Sequence, residues 1–157
     1  MKKFLFNISF LVLGIILFTI PCDINATTIY TNNNTTYEYF DDGTMLVTSI
    51  TEELTNRSSG TKSAHKSQYY CDSNGNKLWS VTVSGTFTYT GSSSKCTKAS
   101  VSTTVYNSDW KITNSTASHS GNSATATATA KKYYLSTIIS TKPLSVTLSC
   151  DKNGNLS

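Results

Sequence analysis

The chain is poor in the residues that most enzymes need. It has two histidines and two prolines, and only 14% of its residues are Asp, Glu, Lys or Arg. His65 and His119 both fall in Ser/Thr-rich polar stretches that read as loops. No Gly-x-Ser-x-Gly elbow lifts a serine onto a strained turn, so nothing marks a hydrolase nucleophile. No Cys-x-x-Cys spacing occurs, which removes the common zinc and thiol-redox signatures. No glycine-rich phosphate loop is present. The acidic pairs Asp41/Asp42 and Glu52/Glu53 read as a solvated turn and a strand end rather than as carboxylates flanking a glycosidic bond. The expectation is a non-enzymatic protein with no catalytic residue, no metal and no cofactor, a hydrolase being the least favoured class.

Long helix formers are scarce too, apart from one apolar run at the start. Met1-Lys2-Lys3 precedes Phe4–Ile20, and Ile24-Asn25-Ala26 ends in a small residue. That is the layout of a bacterial secretory signal peptide, residues 1–26, cut between Ala26 and Thr27. The run is roughly 17 residues, at the lower limit for spanning a bilayer, and a cleavage site follows it. Cys22 follows Pro21 and lies three after Thr19, which do not suit lipidation. The expected mature protein is secreted, residues 27–157, and not held in the membrane after cleavage. Lys2, Lys3 and Asp23 leave with the signal, so the formal net charge of +4 falls by one. The remaining lysines are scattered rather than clustered, which argues against a nucleic-acid partner.

What is abundant is serine and threonine in alternation with apolar residues. "WSVTVSGTFTYT", 79–90, puts Trp79, Val81, Val83, Gly85, Phe87 and Tyr89 on one face and hydroxyls on the other. Such a pattern has the period of a strand and not of a helix, with Gly85 a place for a bulge or bend. "ATATATA", 124–130, alternates as well, and its alanines leave room for a tryptophan or tyrosine opposite. "LSVTLSC", 144–150, sets Leu144, Val146, Leu148 and Cys150 inward, and Pro143 before it marks a strand start, edge or bulge. Val101–Tyr106 and Trp110–Ile112 read as shorter strands around the turn at 107–109. Tyr37–Phe40 and Thr44–Ile50 form a hairpin across Asp41-Asp42-Gly43, and 56–66 reads as a polar connection. About eight strands of this kind predict a single all-β domain, an antiparallel β-sandwich, with a barrel as the alternative.

One motif occurs twice: Cys-Asp-x-Asn-Gly-Asn, at 71–76 and 150–155. As a calcium loop it fails, because Lys77 stands where the sixth-position glycine belongs and Val83 where the twelfth-position glutamate belongs. A tight turn fits better: Asn-Gly supplies positive φ, and the aspartate caps the turn with its side chain.

Cys71, Cys96 and Cys150 remain after signal removal, and three cysteines cannot all pair within one chain. Cys96–Cys150 and Cys71–Cys96 are both open as bridges. Nine tyrosines and two tryptophans add an aromatic resource. Trp79 and Trp110 read as core. In Tyr69-Tyr70 and Tyr133-Tyr134 one ring of each pair must face away from the core if both lie in strands. Those four are the candidate contacts for a glycan, whose sugar faces stack on exposed rings.

"YEYFDDGTMLVTSI", "GNKLWSVTVSGTFTYTGSSSKCT", "WKITNSTASHSGNSATATATAK" and "VTLSCDKNGNLS" together resemble a family of small secreted all-β proteins of Gram-positive, clostridial-type bacteria. The resemblance spans nearly the whole mature chain. It implies export and a compact single domain and brings no activity with it. It also implies Cys96–Cys150 as the disulfide and Cys71 as the free thiol. The function expected is a binding or adhesion module at the cell surface or in the medium, with a surface glycan or a protein as partner. A bacteriocin-like or structural secreted factor is the alternative.

Overall fold

The computed structural model describes residues 26–32, 34–53 and 60–157. Except for Ala26, the expected signal peptide lies outside them. The described residues form nine strands and no helix: β1 (Ala26–Asn32), β2 (Thr35–Phe40), β3 (Met45–Glu52), β4 (Thr61–Cys71), β5 (Lys77–Tyr89), β6 (Ser94–Val105), β7 (Trp110–Ser120), β8 (Ser123–Tyr134) and β9 (Thr137–Ser149). They make two open antiparallel sheets, one of six strands in the order β1 to β6 and one of three in the order β7 to β9. The small sheet lies over one side of the large one. β7 sits beside β6, β8 crosses β5 and β6, and β9 crosses β4 and β5. This is a β-sandwich and not a closed barrel.

Alternation explains the core. Trp79, Val81, Val83 and Phe87 of β5 are fully buried and meet Ala124, Ala126, Ala128 and Ala130 of β8, with Val146 and Leu148 of β9 beside them. Each such valine or phenylalanine contributes about 1.5–3 kcal/mol by leaving water. Gly85 shows why the alanines are small. A Cβ there would lie 2.6 Å from the Phe87 ring and 3.3 Å from the Ala124 Cβ, so the two sheets close directly over it. The ladder between β5 and β6 shifts register one residue on, between Thr86 and Phe87, next to the bend the glycine suggested.

Several strands run longer than the sequence pattern indicates. Residues 61–66, read as connection, open β4, so His65 lies on a strand and not in a loop. His119 likewise lies on β7. The polar stretch hid both, since neither face of 113–120 is apolar and all of it is exposed. β9 begins at Thr137 and passes straight through Pro143.

Both Cys-Asp-x-Asn-Gly-Asn copies are tight turns, as read. Gly75 and Gly154 take φ of 82° and 87°. The first turn joins β4 to β5. The second reverses the chain after β9, so that Cys150 bridges Leu156 and Ser149 exchanges both backbone hydrogen bonds with Ser157.

Candidate functional site

Three strands cannot cover six. The inner face of β2–β4 runs out beyond β9, and a groove of about 550 Å3 lies there. Register sets its floor. Lys66 pairs with Val83 on one side and Ile50 on the other, and Gln68 pairs with Val81 and Thr48. Val81 and Val83 are core, so the row through Lys66 and the row through Gln68 point between the sheets. Thr36, opposite Thr48, extends the floor onto β2.

The wall is the free edge of β9, at Ser145 and Thr147. Ser149 donates its N–H to the Ser157 carbonyl and accepts from the Ser157 N–H, on the side away from β8, while Cys150 donates its N–H to the Asn122 carbonyl on the β8 side, at 3.1 Å. Backbone direction alternates along an antiparallel strand. Thr147 and Ser145 therefore aim their N–H and C=O into the groove, and Leu148 and Val146 serve the β8 ladder. The side chains agree: the Thr125 and Thr147 hydroxyls are 2.9 Å apart, and those of Ser123 and Ser149 are 2.8 Å apart, as in closely spaced non-hydrogen-bonded pairs. Pro143 has the same parity as Ser145. Its missing N–H would have pointed outward, so it removes no ladder bond.

Two inward lysines on β4 contrast sharply. Lys62 lies 3.3 Å from Glu52 Oε1 and donates to the Gly154 carbonyl at 2.6 Å, which ties the closing segment 151–157 over one end of β3 and β4. Lys66, in the open groove, has no acid and no hydrogen-bond acceptor among the described residues. Its half-buried position alone lowers the ammonium pKa. The side chains of Gln68, Thr48 and Thr36 likewise make no hydrogen bond among the described residues. A cation, an amide and hydroxyls converge on one concave surface, with Ile50 as the apolar contact.

The four candidate tyrosines are not gathered into one surface. Tyr70 is a correction: it is 4% exposed, packed edge-on to Trp110 at 5.5 Å and tilted against Trp79 at 6.4 Å, and so belongs to the core. Its position inward on β4, beside Trp79 in the ladder, leaves Tyr69 outward. There the Lys77 ammonium sits 3.9 Å over the Tyr69 ring. Tyr133 lies under Lys111 at the far end of β8, at 5.1 Å. Tyr134 is exposed beside the β8–β9 turn, where Leu135 and Ser136 both have positive φ and Leu135 is 84% exposed.

On the outer face of the large sheet, His65 Nδ1 is 2.7 Å from Ser84 Oγ, and its Nε2 contacts Glu53. A serine, a histidine and an acid thus stand in line, a grouping the sequence did not suggest because all three lie on or beside strands. The pairs on either side are Ser63–Thr86 at 3.1 Å and Ser67–Thr82 at 2.8 Å, so His65–Ser84 is one rung of a row of cross-strand polar pairs. Ser84 is mid-strand, paired to β4 and β6 alike, and its backbone N–H is used in a ladder. An acyl-transfer site needs fixed donors aimed at the developing oxyanion. The cation of this cleft, Lys98, is on a flexible stem.

Cys71, Cys96 and Cys150 are buried and unbridged in this structure. The expected Cys96–Cys150 disulfide is therefore not formed here: Cys96 Sγ rests 3.3 Å from the Lys98 carbonyl and Cys150 Sγ 3.6 Å from that of Asp151. The two are nonetheless neighbours. Their N–H groups donate to consecutive carbonyls of the β7–β8 turn, Gly121 and Asn122, at 2.8 and 3.1 Å. Burial raises the pKa of both thiols, and the charge of Cys150 adds to the rise at Cys96. Burial raises that of Cys71 also. No family model, no curated protein and no solved structure matches the chain.

Proposed function

We propose that this domain is an exported, non-enzymatic binding module of a Gram-positive bacterium, acting at the cell surface or in the medium, with its ligand held in the groove between β2–β4 and β9. Lys66 carries this reading. An ammonium half-removed from water, with no partner among the described residues, weakens the fold, whereas a methionine of similar length would strengthen it. Unpaired polar groups converging in a concavity are what a polar ligand requires.

The test is retention of the purified chain on peptidoglycan, mucin, xylan or cellulose, together with selection from a displayed library of random peptides. Retention by one of these, abolished by Lys66→Glu and kept by Tyr69→Ala, supports the reading. No retention at all, or equal retention by Lys66→Glu, contradicts it.

In the same reading, export carries Cys96 and Cys150 to a compartment where thiols are oxidised. They join there as a disulfide, giving up two protons and two electrons to an oxidised thiol–disulfide carrier, and Cys71 stays a thiol.

A second reading, hydrolysis, rests on the alignment of Ser84, His65 and Glu53. Without fixed oxyanion donors, Ser84 is expected to be inert. Covalent labelling of Ser84 by a fluorophosphonate, lost in His65→Ala, would instead make the domain a hydrolase.

A further inference from the structure

The closing segment shows what kind of chain the open edge of β9 accepts. Residues 156 and 157 run antiparallel to β9 on its free side, with both backbone bonds of Ser149 satisfied by Ser157. Leu156 packs against the core beneath and lines the space over Ile50, Glu52 and Lys62. The segment is in effect a short fourth strand of the small sheet, laid over one end of the β3–β4 floor. It stops at Ser149. The same track runs on past Thr147 and Ser145, over Thr48, Gln68 and Lys66, where no backbone bond to that edge is made among the described residues.

We infer that the groove takes an extended polypeptide, which adds to β9 as an antiparallel strand in line with residues 156–157 and places an acidic side chain over Lys66. The inference rests on the groove being the binding site. Strands pair at about 4.8 Å and sheets stack at about 10 Å, so a strand added to β9 lies over β3 and β4, where the floor is otherwise uncovered. Its backbone bonds to Ser145 and Thr147 supply sequence-independent affinity. Its inward side chains, every second residue, supply selectivity. One of these meets the Lys66 ammonium, which has no anion among the described residues, and a carboxylate fits. The others meet Thr36, Thr48, Gln68 and Ile50, which suit small polar and β-branched residues.

A phage-displayed library of random nine-residue peptides, panned on the full chain, tests this, with the enriched peptide then made with both ends capped. The expected peptide contains an essential Asp or Glu. It binds at least tenfold more weakly to Lys66→Glu, and to Ser145→Pro, which removes an edge N–H just as Pro143 already does two residues away. Should Ser145→Pro not fold, N-methylation of the peptide reads the same bonds on the unaltered chain: methyls at one set of alternate amides abolish binding and at the other set do not. Peptide binding indifferent to all these changes overturns the inference. So does the absence of any enriched peptide while a glycan is retained through Lys66, in which case the groove remains the site and its ligand is a sugar. Failure of both peptide and glycan removes the groove as a site altogether.

Discussion

Asp151 repeats, bond for bond, the network that Asp72 makes. Oδ1 of Asp72 accepts from the N–H groups of Asn74 at 3.0 Å and Asn76 at 2.8 Å, and Oδ2 accepts from the Asn76 amide at 3.0 Å. Asp151 accepts from Asn153 at 2.7 Å, from Asn155 at 2.9 Å and from the Asn155 amide at 2.8 Å. The Asn76 or Asn155 side chain is the main cause that holds each carboxyl below the usual carboxylate pKa, and the backbone donors add to it.

A lowered folded-state pKa means that the ionised turn stabilises the fold above the unfolded value, and that this contribution fades as pH falls through the folded value. Melting midpoints of the native chain and of the double variant Asp72→Ala/Asp151→Ala should therefore differ fully near pH 6. They should converge as pH falls below the ordinary carboxylate range and through the lowered folded-state values. A difference that does not narrow at all on acidification would show that the carboxylate charge has no part in it.

Gly85→Ala tests the closest approach of the two sheets. The new methyl would meet the Phe87 ring and the Ala124 methyl, all in the core. Overpacking of this kind costs about 1–3 kcal/mol, readable as a lower urea midpoint. Unchanged stability would show that Phe87 moves freely aside.

The β8–β9 turn carries Leu135 and Ser136 at φ of 45° and 68°, the type I′ geometry that Asn-Gly adopts without strain. Leu135→Asn with Ser136→Gly should stabilise the domain by about 1–2 kcal/mol, seen as a raised melting midpoint. A fall would mean that the exposed leucine contributes packing that its 84% exposure does not suggest.

Thiol counting under denaturing conditions checks the cysteines. Material secreted into an oxidising medium should show one thiol, Cys71, and reduction should expose the other two. Reduction should also lower stability by about 4 kcal/mol, the loop-closure value for a bridge spanning about 55 residues. Three free thiols after oxidation would remove the Cys96–Cys150 bridge.

The sequence made β5 and β8 plain because their inward residues are uniformly apolar or small against an outward row of hydroxyls. It concealed the first half of β4, where the inward positions are Lys62, Ala64, Lys66 and Gln68. That face looks polar because β9 stops short of covering it, so the feature that hid the strand is also the groove. Tyr70 was ambiguous for a related reason: two adjacent tyrosines on a strand take opposite faces, and only register with Trp79 decides which turns in. His65 and Ser84 meet across two strands 19 positions apart, a relation set by pairing and invisible to local spacing.

Hydrogen exchange of the backbone amides of β9, in the free protein, tests the central claim most directly. Val146 and Leu148, bonded to β8, and Ser149, bonded to Ser157, should be protected, while Ser145 and Thr147, which alternate with them, should exchange at nearly unstructured rates. Protection of Ser145 and Thr147 equal to that of their neighbours would mean that the edge is already closed, and would contradict the open groove on which the proposed binding depends.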